Sequence, residues 1–319
     1  MTLDDFPLWF LRVFAIALGL VWGSFLNVVI YRVPRGLSVV RPASHCPACK
    51  APVRAYDNLP VLGYLLLRGK ARCCKAKLSP RYPMVELIGG VLSLAIVEVV
   101  IFRMPASTSI GRALAIYVAD LALALGLVAA AFIDLDHMYL PDGVTIGGAI
   151  LGVGTCHLRG MTFPESLLGA AIGFVVVWLP FVVLYRKVRG RVGMGMGDAK
   201  LLMLAGAWFG WGGALFVLGA GAVQGSIVAV TTLLLRGKIE EPEAVRLERE
   251  EIKAELDAMS PEERALAEEE LAGDPLAEEA GEGAGQARIA FGPFLVLATL
   301  ECLLFGRDII AAYLSWLDV

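Results

Sequence analysis

Residues 113–134 read ALAIYVADLALALGLVAAAFID, and only Asp120 and Asp134 interrupt an otherwise apolar run. At helical rise this run covers roughly 33 Å, enough to cross the hydrocarbon of a bilayer. Working outward, comparable runs lie near 8–30, 83–103, 140–159, 164–186, 199–215, 217–235 and 290–316. The glycine-rich runs at 199–215 and 217–235 are the least distinct, so the count is eight, or seven if they merge. Within hydrocarbon the backbone must satisfy its own polar groups, which leaves helices as the form such runs take. The chain is therefore expected to be an all-α polytopic membrane protein of about eight transmembrane helices, with a small cysteine-containing cytoplasmic subdomain.

The composition agrees. The 319 residues are 57% hydrophobic and 18% charged, with a mean hydropathy of +0.69, which excludes an ordinary soluble domain. The N-terminus carries Asp4 and Asp5 where a cleavable signal would be basic, and the run at 8–30 is long enough to span, so it is read as a retained helix.

The net charge of −3 conceals a division, because residues 237–287 hold 17 acids against 5 bases and the rest of the chain is positive. Residues 31–82 carry 11 Lys and Arg against a single acid, Asp57. Basic loops stay on the cytoplasmic side, which places 31–82 there and the N-terminus outside. The second basic stretch, Arg186 to Arg191, falls on the same side after alternation through the spans.

The expected organisation is a first helix (1–30), a basic cytoplasmic loop (31–82), a transmembrane core (83–235), an acidic insertion (236–289) and a last helix (290–319). The insertion's Glu, Ala and Leu content favours solvated helix and its glycines a flexible tether. It is expected to be dispensable, the alternative being a docking site for a basic partner.

Two acidic motifs stand out in so apolar a chain. Ile133-Asp134-Leu135-Asp136-His137 closes the third span, and Gly195-Met196-Gly197-Asp198 opens the sixth; both fall at the cytoplasmic side. Ionisable groups at the hydrocarbon boundary are costly, and each is a functional candidate by default. Singly, Asp198 also reads as a helix cap, and Asp136, His137 and Asp142 as a wet turn. Together, two facing carboxylates share a proton, one acting as base toward water and the other as acid toward a carbonyl. The flanking Gly195 and Gly197 let the backbone approach a neighbour or a substrate closely. That combination is aspartic protease chemistry.

With these motifs the chain resembles the bacterial type IV prepilin peptidases, membrane aspartic proteases of the Gly-x-Gly-Asp class. The resemblance also rests on Gly23-Ser24-Phe25-Leu26-Asn27 continuing to Pro34, on Cys46-Pro47-Ala48-Cys49, and on Ser79-Pro80-Arg81-Tyr82-Pro83 continuing to Glu86. It covers almost everything except the acidic insertion. It implies that Asp134 and Asp198 are the catalytic pair, with Asp136 ranked behind Asp134. It further implies cleavage of the short basic leader of type IV prepilins and type II secretion pseudopilins at the inner membrane, followed by N-methylation with S-adenosylmethionine. Arg81 and Glu86, with Ser24 and Asn27, resemble positions near the substrate or methyl-transfer region. Each also reads as a helix anchor.

In a cytoplasmic loop the pair Cys46 and Cys49 reads as half of a tetrahedral zinc site. The resemblance implies a second Cys-x-x-Cys before Arg81, but the sequence there is Ala71-Arg72-Cys73-Cys74. Cys74 matches the second position and Ala71 replaces the first. The ligand set is then Cys46, Cys49, Cys73 and Cys74, or includes His45 as the fourth. Such zinc is structural, because a closed thiolate site has no open position for water. Membrane lipids are expected partners of the basic loop, and a nucleic-acid partner is not expected. Two other classes stay open. An ion-coupled transporter would use Asp120 and Glu98 within the spans, and a non-enzymatic pilus assembly factor would only grip pilins.

Overall fold

The apolar runs fold as helices. The computed structural model describes residues 1–189, 193–236, 242–260 and 290–316, together with Arg264 and Ala267. Its helices are α1 (Leu8–Arg32), α2 (Leu62–Leu66), α3 (Arg81–Ile96), α4 (Ile110–His137), α5 (Asp142–Gly154), α6 (Phe163–Val177), α7 (Tyr185–Arg189), α8 (Met196–Arg236), α9 (Glu243–Ala258) and α10 (Gly292–Trp316). Among the described residues there is no strand, only isolated bridges such as His45 with Pro52 and Lys70 with Lys77. Among the described residues, five helices are long and apolar enough to cross a membrane, and two shorter apolar ones accompany them. The chain is a multi-pass, all-α membrane protein.

The expected span boundaries shift in two places. The run at 140–159 forms a 13-residue helix, α5, followed by the tight turn Cys156–Arg159. The runs at 199–215 and 217–235 merge into the one helix α8, whose break at Gly210 (φ 74°) falls inside the first of them. That left-handed conformation is open to glycine and costly for other residues, which is why the break falls inside an apolar stretch with no polar punctuation. The wide turn Trp178–Leu184 that continues α6 contains Pro180, which lacks the N–H that regular helical bonding requires. Gly190 and Arg191 of the second basic stretch, and most of the acidic insertion, lie outside the described residues. Of the insertion, α9 is helical.

The chain divides into two compact units. The first comprises Met1–Ala129, Leu158–Gly160 and Leu303–Val319. Here α1 and α3 pack through small residues, with Gly19 against the Gly89 and Gly90 backbone and Gly23 against Glu86. Ser93 donates to the Ala15 carbonyl (2.5 Å) and bonds the Tyr117 hydroxyl (2.7 Å). Arg12 pairs with Glu98 (2.5 Å) and Arg103 with Asp308 (2.7 Å). Buried Arg32, at the end of α1, donates to the carbonyls of Ser38 (2.9 Å) and Pro42 (2.7 Å), fixing the chain as it leaves the helix.

The second unit comprises Ala130–His157 and Met161–Cys302. Its centre is the first arm of α8, whose Leu201, Leu202, Leu204, Ala205 and Trp208 are buried. Trp208 donates to the Gly148 carbonyl (2.8 Å) and Ser166 to the Ala207 carbonyl (2.7 Å). Gly206 and Gly169 sit backbone to backbone: a Cβ on Gly206 would stand 3.0 Å from the Ala170 nitrogen and closer still to the Gly169 carbonyl. Gly206→Val is therefore expected to destabilise the protein by about 1–3 kcal/mol through overpacking. A fall in the thermal unfolding temperature in detergent checks this, and an unchanged temperature would contradict the close approach.

Candidate active site

Asp134 lies in the last turn of α4, and Asp198 is the third residue of α8. A left-handed Met138 (φ 54°) ends α4, and its N–H bonds back to the Asp134 carbonyl (2.9 Å). Asp198 donates its backbone N–H to the Gly195 carbonyl (3.2 Å), so the glycine turn folds directly onto the first turn of the helix. Asp198 is thus inside the first turn and does not occupy the cap position considered from sequence.

Both side chains are withdrawn from the surface, Asp134 at 5% and Asp198 at 9% relative exposure, whereas Asp136 is half-buried. The two carboxylates lie within range of each other's charge. Asp134 Oδ2 is enclosed and has no hydrogen-bond partner. The backbone of Gly292, at the start of α10, closes over it, and a Cβ there would lie 2.6 Å from Oδ2. Leu140 completes the wall, since Cβ atoms on Gly197 and Gly292 would each meet it, at 3.1 and 3.0 Å. Gly195 faces Asp198, where a Cβ would lie 3.4 Å from Oδ2. Lys200, two residues on from Asp198, pairs with Asp142 (2.6 Å) and so ties the start of α8 to the start of α5. Two neighbouring buried carboxyl groups can hold one proton between them.

Sequence reading did not point to Gly292. Its signal is only the Gly292-Pro293 step that starts α10, and what matters is a tertiary contact. The same holds for Arg32 and for Gln224, which donates to Glu301 (2.9 Å) between α8 and α10.

Arg81 begins α3. Glu86 is buried and accepts the Val61 N–H at 2.6 Å. Its carboxylate thereby anchors the cysteine-bearing segment to α3. Asn27 donates to the Tyr82 carbonyl (3.1 Å), joining α1 to the start of α3.

The four sulfurs of Cys46, Cys49, Cys73 and Cys74 all lie within 4.8 Å of one another. Two matching turns bring them there. Cys46 N–H donates to the Ala51 carbonyl and Lys50 N–H to the Cys46 carbonyl, at 2.8 and 2.9 Å; Ala71 with Ala76 and Lys75 with Ala71 repeat both bonds at the same distances. Lys50 and Lys75 share a left-handed φ of 60° and 59°. Ala71 therefore stands where Cys46 does and Cys74 where Cys49 does, while Cys73 supplies the remaining thiol. The separations Cys46–Cys74 (3.7 Å), Cys49–Cys73 (3.2 Å) and Cys73–Cys74 (3.9 Å) bracket the roughly 3.8 Å between sulfurs around tetrahedral zinc. The backbone N–H groups of Cys49 and Ala48 draw the Cys46 thiol down to about 6, and contact with Cys49 first of all pushes Cys73 up to about 12. The cluster thus offers one ready thiolate and further thiols that a cation would deprotonate. His45 instead places its ring nitrogen 3.3 Å from the Ala43 carbonyl.

Residues 17–100 match the family model described as the Bacterial Peptidase A24 N-terminal domain, and residues 121–230 that of the Type IV leader peptidase family. A Myxococcus xanthus protein named prepilin leader peptidase/N-methyltransferase is 39% identical over 242 residues, covering 75% of this chain and 69% of that protein. The chain belongs to the type IV leader peptidase family. Two other proteins of the same name extend the match. One from Pseudomonas putida is 38% identical over 74% of this chain and 87% of its own length. One from Stutzerimonas stutzeri is 32% identical over 95% and 93%. No solved structure matches the chain. Asp134, Asp198, Gly195, Gly197 and Gly292 all fall in the second unit, and the first four lie within the matched region 121–230.

Proposed function

We propose that the protein is a membrane aspartic endopeptidase that cleaves the short basic leader of type IV prepilins and type II secretion pseudopilins and then N-methylates the new N-terminus. The observation that carries this reading is the meeting of two buried acids, Asp134 and Asp198, in one glycine-walled pocket of a chain that belongs to the leader peptidase family. One carboxylate takes a proton from water as that water attacks the scissile carbonyl, and the other, protonated, donates to the carbonyl oxygen. The enclosed, unpartnered Oδ2 of Asp134 is an oxygen free to hold or pass that proton. Gly195, with no Cβ, lets the chain lie close to the Asp198 carboxylate, and Gly197 lets Leu140 pack against the first turn of α8.

The protein resides in the bacterial inner membrane with this pocket on the cytoplasmic side. The support is the basic loop 31–82, which follows α1, and the chemistry of a leader that is basic and cytoplasmic. S-adenosylmethionine supplies the methyl group, on the strength of the relatives' names; its binding residues are not assigned. Zinc is held by Cys46, Cys49, Cys73 and Cys74, whose thiolates suit it. It fastens the loop, with no part in hydrolysis.

Transport finds no support, because Glu98 is engaged by Arg12 and the paired acids Asp134 and Asp198 lie at helix ends. The function is tested by incubating a prepilin with detergent-purified protein and S-adenosylmethionine. Cleavage after the leader glycine with one added methyl group is expected; an intact precursor with folded enzyme would overturn the reading.

The purified protein is expected to carry one equivalent of zinc. Metal content by mass spectrometry should fall as pH is lowered and protons compete with zinc for the four thiolates. Cys46→Ser should strip the metal at neutral pH. Full zinc content in that variant would contradict the assignment.

A further inference from the structure

The short helix α2 carries an apolar face that is exposed among the described residues. Leu62, Leu65 and Leu66, at helical positions i, i+3 and i+4, are 57%, 61% and 76% exposed, and Leu59 just before them is exposed as well. Three bare leucines on one side of a five-residue helix would be a liability in water.

The surrounding contacts hold that face in place. Asp57 takes a bidentate bond from Arg72 (2.9 and 2.7 Å), and Gly63 packs against the Asp57 carbonyl, so α2 is built into the cysteine-bearing segment. At its start, Val61 adopts a left-handed φ of 60°, unfavourable for a β-branched residue, and the Glu86 carboxylate accepts its N–H at 2.6 Å.

That bond sets a depth. Glu86 is the sixth residue of α3, about 7.5 Å along the axis from Arg81 at the head of that membrane-crossing helix. Side chains of a helix lean toward its N-terminus, so Glu86 reaches back toward the membrane surface. Val61 is therefore level with the first turns of the span, and α2 begins there. The outward side of α3 at the same end, Met84, Leu87 and Val91, is exposed and apolar in the manner of a lipid-facing surface. After α2 the chain turns to exposed, basic Arg68, Lys70, Lys75 and Lys77.

We infer that α2 is an interfacial anchor: Leu59, Leu62, Leu65 and Leu66 seat in the lipid leaflet at the cysteine-bearing end of the protein, and Arg68 and Lys70, which follow α2 directly, lie against anionic headgroups. The physical pattern is that of a short amphipathic element held at the headgroup boundary, with apolar burial and charge attraction acting together. Through the Asp57–Arg72 pair and the Glu86–Val61 bond, the leaflet then helps to hold the cysteine knuckles at a fixed height over the membrane. This inference rests on the membrane-spanning fold and not on the peptidase reading.

The test uses the full chain in nanodiscs of phosphatidylethanolamine and phosphatidylglycerol, with a photoreactive p-benzoylphenylalanine at one position. Leu66→p-benzoylphenylalanine and, separately, Leu62→p-benzoylphenylalanine should each yield lipid adducts on irradiation, roughly tenfold more than Lys75→p-benzoylphenylalanine in the second knuckle. Two positions on the same face guard against one variant misfolding. Equal yields at 62, 66 and 75 would overturn the anchor. So would adducts at 62 and 66 to an added prepilin in place of lipid, which would make the face a substrate surface. Prepilin cleavage is read separately in the same samples, so failure of the anchor and failure of the enzyme remain distinct.

Discussion

Asp134→Asn and Asp198→Asn should each lower the rate of leader cleavage by roughly 10³-fold or more, the upper range for loss of a general acid or base. An amide can neither take a proton from water nor pass one to the leaving amine, and the partner carboxyl cannot perform both halves of the exchange. Both acids are buried at the ends of well-packed helices, and Asn has nearly the same shape, so the variants should still insert and extract as folded protein. Because the pair acts as a unit, the double variant should fall no further than either single one. Kinetics with a leader peptide in detergent check this: kcat should collapse while KM changes little. Multiplying losses in the double variant would mean that the two groups act independently.

Gly292→Val should produce the second large effect, a loss of roughly 10²-fold in cleavage, the scale expected when reacting groups are displaced by about 1 Å. The first branch atom of the new side chain would lie 2.6 Å from Asp134 Oδ2 and 3.0 Å from Leu140 Cδ2, so either the carboxylate or the first turn of α10 must move. The α10 residues up to Cys302 stay held to α8 by the Gln224–Glu301 bond, and the folded state should persist. Thermal unfolding and cleavage measured together separate this from Gly206→Val, which should lose stability. A Gly292→Val enzyme with normal cleavage would show that Asp134 does not depend on that close approach.

What could be read from the sequence depended on contrast. In a chain this apolar, charges are conspicuous, so Asp134 and Asp198 were visible as candidates and the eight apolar runs each met a helix. The break at Gly210 was not visible, because it sits between apolar residues and depends on a left-handed backbone. The shortness of α5 was hidden for a similar reason, since Gly154 and Thr155 end the helix inside a hydrophobic stretch. Contacts between distant segments left no local trace. Gly292 over Asp134, Glu86 on Val61 and Gln224 with Glu301 all join residues far apart in the chain.

The cysteine loop is an intermediate case. Ala71 in place of a cysteine looked like a defect in the second pair. Its backbone bonds repeat those of Cys46, and the repeat explains how Cys73 and Cys74 can share a cluster with the first pair. Spacing alone could not show that, because the turn is defined by hydrogen bonds and by the left-handed Lys75.

If Asp134 and Asp198 together cut the prepilin leader, removing either carboxyl group stops the cut. The most direct measurement is the intact mass of a prepilin after incubation with wild-type, Asp134→Asn or Asp198→Asn protein at equal folded concentration. Leader loss is expected with the wild type, and an uncut precursor with both variants. Leader loss with either variant at the wild-type rate would contradict it.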